Sequence, residues 1–394
     1  MGLGATLLAM TAAAVLSAAT FTKANASSPT PITLQPFLEN LEFPSNMAFA
    51  PDGRMFINEK DTGNIRIVRD GELLPDPFFH IDVNGGGESG LLGLALDPHF
   101  DTDPWVYVYF TSATDGRNHL QRIRADGDHG TTVENLLTLL QASGIHNGGD
   151  ITFGPDGKLY VVTGETGHSE LSQNPDSLGG KVLRLNPDGS IPGDNPFGDT
   201  PVYSLGHRNS FGLCFNPANG DLWETENGPD QFDEINRIEA GRNYGWPEVL
   251  GPEGAPKFVE PVLSFRSVIV VTGCAFAGKI LFFGDFHQDL HAATLEQPQE
   301  HTVTSERTVA HLPAGITDLE VGPDGLLYVV TGVDIERAAI GSIPAPSVSP
   351  QSPEPAPTGG DGVSTPGLVL AAIGLVAVLL LVIALGARLR RRPS

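Results

Sequence analysis

A strand–turn–strand signature recurs along most of this chain, usually as Pro-Asp-Gly or a near relative set between two apolar runs. Its clearest copies are Met47–Phe56, Ile151–Tyr160 and Leu319–Tyr328. Looser copies run from Leu94 to Val108, Leu213 to Trp223 and Cys274 to Phe282, so six copies follow one another at intervals of 45 to 62 residues. The chemistry is that of a hairpin loop. Pro presets φ, Asp bonds its own backbone, and Gly takes the positive φ that lets the strands turn back. Leu185-Asn-Pro-Asp-Gly189 looks similar but leads into Pro192 and Gly193 rather than a strand, and it is not counted. Apolar residues alternate around each turn, and no long 3.6-residue periodicity appears between the two ends. Repeats of this length, each one small sheet that cannot bury its faces alone, predict an all-β, six-bladed β-propeller over residues 31–340.

The ends read differently. Leu7 to Ala19 is an apolar run rich in small residues, and Ala24-Asn25-Ala26 has the small-x-small form of a signal-peptidase site. The first 26 residues are therefore expected to be a cleaved signal peptide, although Lys23 follows the apolar run and no basic segment precedes it. Residues 343–366 are rich in Pro, Ser and Gly and are expected to form a linker. Gly367 to Ala387 carries no charge, and its length suits a hydrocarbon core of about 30 Å at about 1.5 Å rise per residue. Arg388, Arg390, Arg391 and Arg392 follow at once, so residues 388–394 are expected to be a basic cytoplasmic tail. The resulting expectation is a single-pass membrane protein with its folded domain extracytoplasmic.

A formal net charge of −24 argues against nucleic acid as a partner, because such binding needs clustered cations. The two cysteines, Cys214 and Cys274, each stand close to a repeat turn, at equivalent places in adjacent blades. An oxidising compartment would let them pair, but two buried thiols are the preferred reading.

Four stretches carry a resemblance. They are Gly87-Glu-Ser-Gly-Leu-Leu-Gly93; Gly144-Ile-His-Asn-Gly-Gly149 with Gly164-Glu165; Gly206-His-Arg-Asn209; and Glu226-Asn-Gly-Pro229 continuing through Asp233-Glu-Ile-Asn236 to Asn243-Tyr-Gly-Trp-Pro247. In order and spacing they resemble the soluble aldose sugar dehydrogenases that use pyrroloquinoline quinone (PQQ), the glucose/sorbosone dehydrogenase family. The resemblance implies oxidation of an aldose at C1 with PQQ and Ca²⁺, with electrons passing to an unidentified acceptor. It implies that His146 is the base for the C1 hydroxyl, since imidazole titrates near the working pH. His146 should stand at the start of an inner strand, near the mouth of the central channel. Glu165 would orient His146 or cap a turn. Arg208 would stabilise charge on the quinone, Asn209 would bond the cofactor, and Glu88 would lie near it. Gly228 and Pro229 would offer carbonyls to the Ca²⁺ that grips PQQ, and Glu234 with the Tyr244 carbonyl would hold a second Ca²⁺.

The chain also departs from the family. A Lys in the fifth blade is replaced around Gly284-Asp-Phe-His287, and two arginines before the last turn by Gly315 and Thr317. Lys181 or Arg266 would have to substitute as cations for PQQ. The rival reading is a catalytically inactive propeller that binds a glycan or protein at the cell surface.

Overall fold

The computed structural model describes residues 32–254 and 256–340. The expected signal peptide, linker, apolar helix and basic tail lie outside the described residues, and no helix within them is long and apolar enough to cross a membrane.

Six antiparallel sheets follow one another along the chain, each one blade of a propeller. Their inner strands are Pro44–Phe49, Leu91–Leu96, Gly148–Phe153, Ser210–Phe215, Val271–Ala277 and Ile316–Val321, and all six begin at or near the expected hairpins. The turn chemistry is visible where the sequence is clearest. The Oδ1 atoms of Asp52, Asp156 and Asp324 each accept a hydrogen bond from the backbone N–H two residues on, at 3.1 Å. The following Gly53, Gly157 and Gly325 have φ of 88°, 69° and 76°, a region that costs glycine little. The discounted Leu185–Gly189 segment closes the third strand of blade 3 instead and leads by a loop to the outer strand Val202–Leu205.

The ring is closed by the first strand of the described residues. Gln35–Leu38 forms the outermost strand of blade 6, antiparallel to Ile335–Ala339, with Gln35 opposite Arg337. Six apolar clusters hold the blades together, one in each gap between neighbours. Phe56, Ile65 and Ile67 of blade 1, for example, pack on Leu94, Val106 and Val108 of blade 2. Blades 6 and 1 meet through Val330, Ile335, Met47 and Ile57. Every blade is thus buried on both faces, as a closed stack of sheets requires.

Cys214 and Cys274 are joined by a disulfide, with Cα atoms 5.7 Å apart and no free cysteine among the described residues. The preferred expectation of two thiols is corrected. Inner strands converge on the propeller axis, so equivalent positions in blades 4 and 5 come within bridging distance.

Candidate active site at the channel mouth

The loops that enter the inner strands converge on one face, opposite the Pro-Asp-Gly turns. His146 sits in the turn ahead of the inner strand of blade 3, at φ +52°. Its backbone N–H donates to Glu88 Oε2, and its carbonyl accepts from Thr166 N at 3.0 Å. A Cβ on Gly164 would lie 1.9 Å from that carbonyl oxygen, so only glycine lets the two loops approach. His146 Nδ1 lies 2.9 Å from Oε1 of the buried Glu165, whose Oε2 accepts from Gly167 N. Both roles considered for Glu165 are therefore present: it orients the imidazole and ties its own turn. Among the described residues Nε2 of His146 has no hydrogen-bond partner.

Glu88 joins three blades. Besides His146 N, its Oε2 accepts from Asn209 Nδ2 at 3.0 Å, and Asn209 Oδ1 accepts from Gly148 N at 3.2 Å. Asn209 thus spends one of its two N–H donors and its oxygen on the protein. The adjacent Arg208 points elsewhere. Its Nη1 donates to the carbonyls of Asn227 and Gly228, each at 2.9 Å, and its guanidinium lies 5.4 Å from the Trp246 ring centroid. Gly228 is required by crowding, since a Cβ there would come within 2.2 Å of Gln231 O. Pro229 follows it, exposed, in the same turn.

A cavity of about 320 Å³ opens beside this network. Its walls are apolar at Phe43, Phe211, Val270 and Phe286 and acidic at Glu88 and Asp150. Burial pushes the Asp150 carboxyl up to about 7. Among the described residues that line the cavity, Lys60 is the one cation. Its Nζ donates to the carbonyls of Gly87 at 3.3 Å and Ser89 at 3.2 Å, pairs with the half-exposed Asp61, and lies 4.8 Å from the Phe43 ring centroid. Sequence reasoning missed Lys60. Nothing in Glu59-Lys60-Asp61 distinguishes it from an ordinary charged turn, and only the closed ring brings it to the cavity.

The two residues proposed as substitute cations do not line this cavity. Lys181 is fully buried and donates to the carbonyls of Leu171, Ser172 and Gly179 at 2.8, 3.0 and 2.6 Å, and burial pushes its ammonium down to about 7. Arg266 is exposed. At the expected arginine positions, Thr317 lines the cavity and donates to Pro44 O at 2.9 Å. Gly315 has no room for a side chain, because a Cβ would stand 2.7 Å from Phe286 O. His287 is exposed in the turn beyond Phe286.

A second, much smaller cavity of about 10 Å³ is lined by Arg208, Glu226, Gly228, Glu234 and Tyr244, among others. That is room for one water or one ion. Glu234 Oε1 accepts from Gly251 N at 2.9 Å, and burial, reinforced by the charge of Glu226, pushes its carboxyl up to about 8. Glu226 is raised too, chiefly by burial. Beneath them His207 lies 2.9 Å from Glu224 and 3.3 Å from Glu226; burial opposes its charge, but the two carboxylates outweigh it and raise it to about 9. The Oδ1 atoms of Asn227 and Asn236 are buried without a partner among the described residues. Three buried carboxylates against one imidazole and the Arg208 guanidinium, with unfilled oxygen acceptors nearby, are an environment that fits a hard cation.

The family model for Glucose / Sorbosone dehydrogenase matches residues 41–338. The chain belongs to that family. It is 35% identical over 249 residues to quinoprotein glucose dehydrogenase B of Acinetobacter calcoaceticus, an alignment covering 54% of this chain and 52% of that one. Its fold superposes on a putative oxidoreductase (glucose dehydrogenase) of Thermus thermophilus with a TM-score of 0.74 and 38% identity, over 78% of this chain and 99% of that one. The PQQ-bound form of aldose sugar dehydrogenase from Streptomyces coelicolor gives 0.73 and 31%, over 79% and 99%.

Proposed function

We propose that this member of the glucose/sorbosone dehydrogenase family oxidises an aldose at C1, with PQQ and Ca²⁺ as cofactors. The observation that carries this reading is the His146–Glu165 couple: an imidazole held from behind by a buried carboxylate, on a backbone that bonds Glu88 in the wall of a cavity of small-molecule size. His146 Nε2 takes the proton of the C1 hydroxyl, and Glu165 holds Nδ1–H and stabilises the imidazolium that forms. The quinone, when bound, supplies the two-electron acceptor. Arg208, fixed by two carbonyls and a Trp face, places a permanent positive charge beside the Gly228 turn. The Gly228 and Pro229 carbonyls would hold one Ca²⁺, and Glu234 with Tyr244 a second.

The cavity walls suit a flat aromatic acid, but with Lys60 in place of three lost cations. Each charge-assisted bond to a carboxylate is worth about 1.5–3 kcal/mol, so PQQ is expected to bind more weakly than three such bonds would allow. The test is a titration of purified protein with PQQ and Ca²⁺, followed by absorbance and by addition of sugars. A saturable shift that bleaches with an aldose supports the enzyme. No shift at any concentration favours the rival reading of a glycan- or protein-binding propeller. In the same titration Lys60→Met is expected to weaken PQQ binding by less than about tenfold, because the three N–H groups are already spent on Gly87 O, Ser89 O and Asp61 and only the nearby charge is lost; a larger loss would make Lys60 a direct cofactor ligand.

The proposal places this domain outside the cell membrane, held by residues 367–387, with electrons passing to an acceptor not yet identified. A chain ending at Pro357 is then expected to be secreted, soluble and folded, because residues 32–340 contain all six blades. Recovery of that protein in salt-washed membranes would contradict the anchor.

A further inference from the structure

Blade 5 carries a second group of chemistry-bearing side chains that the proposed reaction does not use. Asp285 ends the strand Ile280–Asp285, Asp289 and His291 lie in Asp289–Leu295, and Glu306 and His311 in Val303–His311. Asp285 and His291 are buried at 2% and 7% exposure. His291 Nδ1 lies 2.8 Å from Glu306 Oε1, and Nε2 lies 3.1 Å from Asp285 Oδ2. The ring is stacked on Phe283, with centroids 4.8 Å apart and planes 4° from parallel, which holds it in the plane of these two partners. One ligand atom each from Asp285, Asp289 and His291 lies within 4.8 Å of the others. His311 Nδ1 is 2.8 Å from Asp289 Oδ1 at the surface.

A histidine between two carboxylates is satisfied as a simple ion pair, and that explains Asp285, His291 and Glu306. It leaves a third carboxylate, Asp289, drawn into the same cluster with a second imidazole on its outer side. Among the described residues no Lys or Arg pairs with Asp285, Asp289 or Glu306; their ion-pair partners are the two histidines. Glu306 on Nδ1 is the partner a metal-ligating histidine ordinarily keeps, fixing the tautomer that presents Nε2 to an ion. We infer that Asp285, Asp289 and His291 form a binding site for a divalent transition metal, with His311 holding Asp289 from its outer side. One imidazole nitrogen with two carboxylates, and water completing the shell, suits Zn²⁺ or Co²⁺, whereas Ca²⁺ selects oxygen alone. Asp285 Oδ1 also accepts from Asp289 N at 2.8 Å, closing the turn that carries Phe286 onto the cavity wall. An ion here fastens that wall from behind without touching the cavity.

The test uses the purified full chain, freed of metal with a chelator and returned to excess Ca²⁺ so that hard-cation sites are filled. Zn²⁺ is titrated calorimetrically and Co²⁺ by its visible absorption. One equivalent is expected to bind with a rise in melting temperature, and His311→Ala and Asp289→Asn are each expected to weaken it by at least about tenfold. Both positions are partly exposed, so folding can be verified from melting without added metal. Equal Zn²⁺ affinity in the two variants and the unmodified chain, or no binding by the unmodified chain, overturns the site.

Discussion

Replacing His146 with alanine is expected to lower kcat by at least about 10², the usual scale for losing a general base, while PQQ affinity changes little. The reason is positional. The imidazole hydrogen-bonds the protein through Nδ1 alone, on Glu165, whereas the backbone N–H and carbonyl that bind Glu88 and Thr166 survive substitution. His146 sits at positive φ, where alanine is no better placed than histidine, so His146→Asn is the companion variant: asparagine tolerates that region and lacks the base. Both variants should retain the spectral shift with PQQ and Ca²⁺ and lose turnover. Normal turnover in either removes His146 from the mechanism; loss of PQQ binding in both would make it a cofactor ligand instead.

The second large effect is on stability. Cys214 and Cys274 are 60 residues apart, and in the chain-entropy account a loop of that size stabilises by about 4 kcal/mol. For a domain of this length that corresponds to roughly 6 °C in melting temperature. The double change Cys214→Ser with Cys274→Ser is expected to lose about that much, because the two sulfurs bridge the inner strands of neighbouring blades and sit in their shared apolar cluster. Melting of the unmodified protein with and without reductant gives the same comparison without mutation. A shift below about 1 °C in both experiments would mean that interblade packing alone sets the stability.

The blades were legible in the sequence because their signal is local. Pro, Asp and Gly at consecutive positions encode a turn wherever they stand, and three such turns with three looser relatives at near-even spacing leave few architectures. The closing strand Gln35–Leu38 was not legible, since nothing in four residues announces a partner three hundred positions away. The site shows the same division. His146 and Glu165 could be named from motifs, but the Glu88–His146–Asn209 junction joins loops 58 and 121 residues apart and exists only once three blades are side by side. The disulfide failed as a prediction for a related reason: equivalent places in adjacent blades were recognised, but not that inner strands crowd together at the axis. Lys60 was invisible because its role depends on which loop faces it, and Lys181 misled because a charge in the sequence says nothing of the carbonyls waiting to enclose it.

The clasp that closes the ring also decides which way the domain presents itself. Gln35 lies opposite Arg337 and Leu38 opposite Ile335, while Ala339 lies opposite Leu326 beside the turn at Asp324 and Gly325. The chain therefore enters and leaves this domain on the face of the Pro-Asp-Gly turns, with the cavity mouth at the far end of the central channel. Tethering the domain by either end to a bead, an electrode or another surface would leave the mouth turned toward solution. Sugar would reach it unhindered, and an electron acceptor would have to come from the open side rather than from the surface beneath.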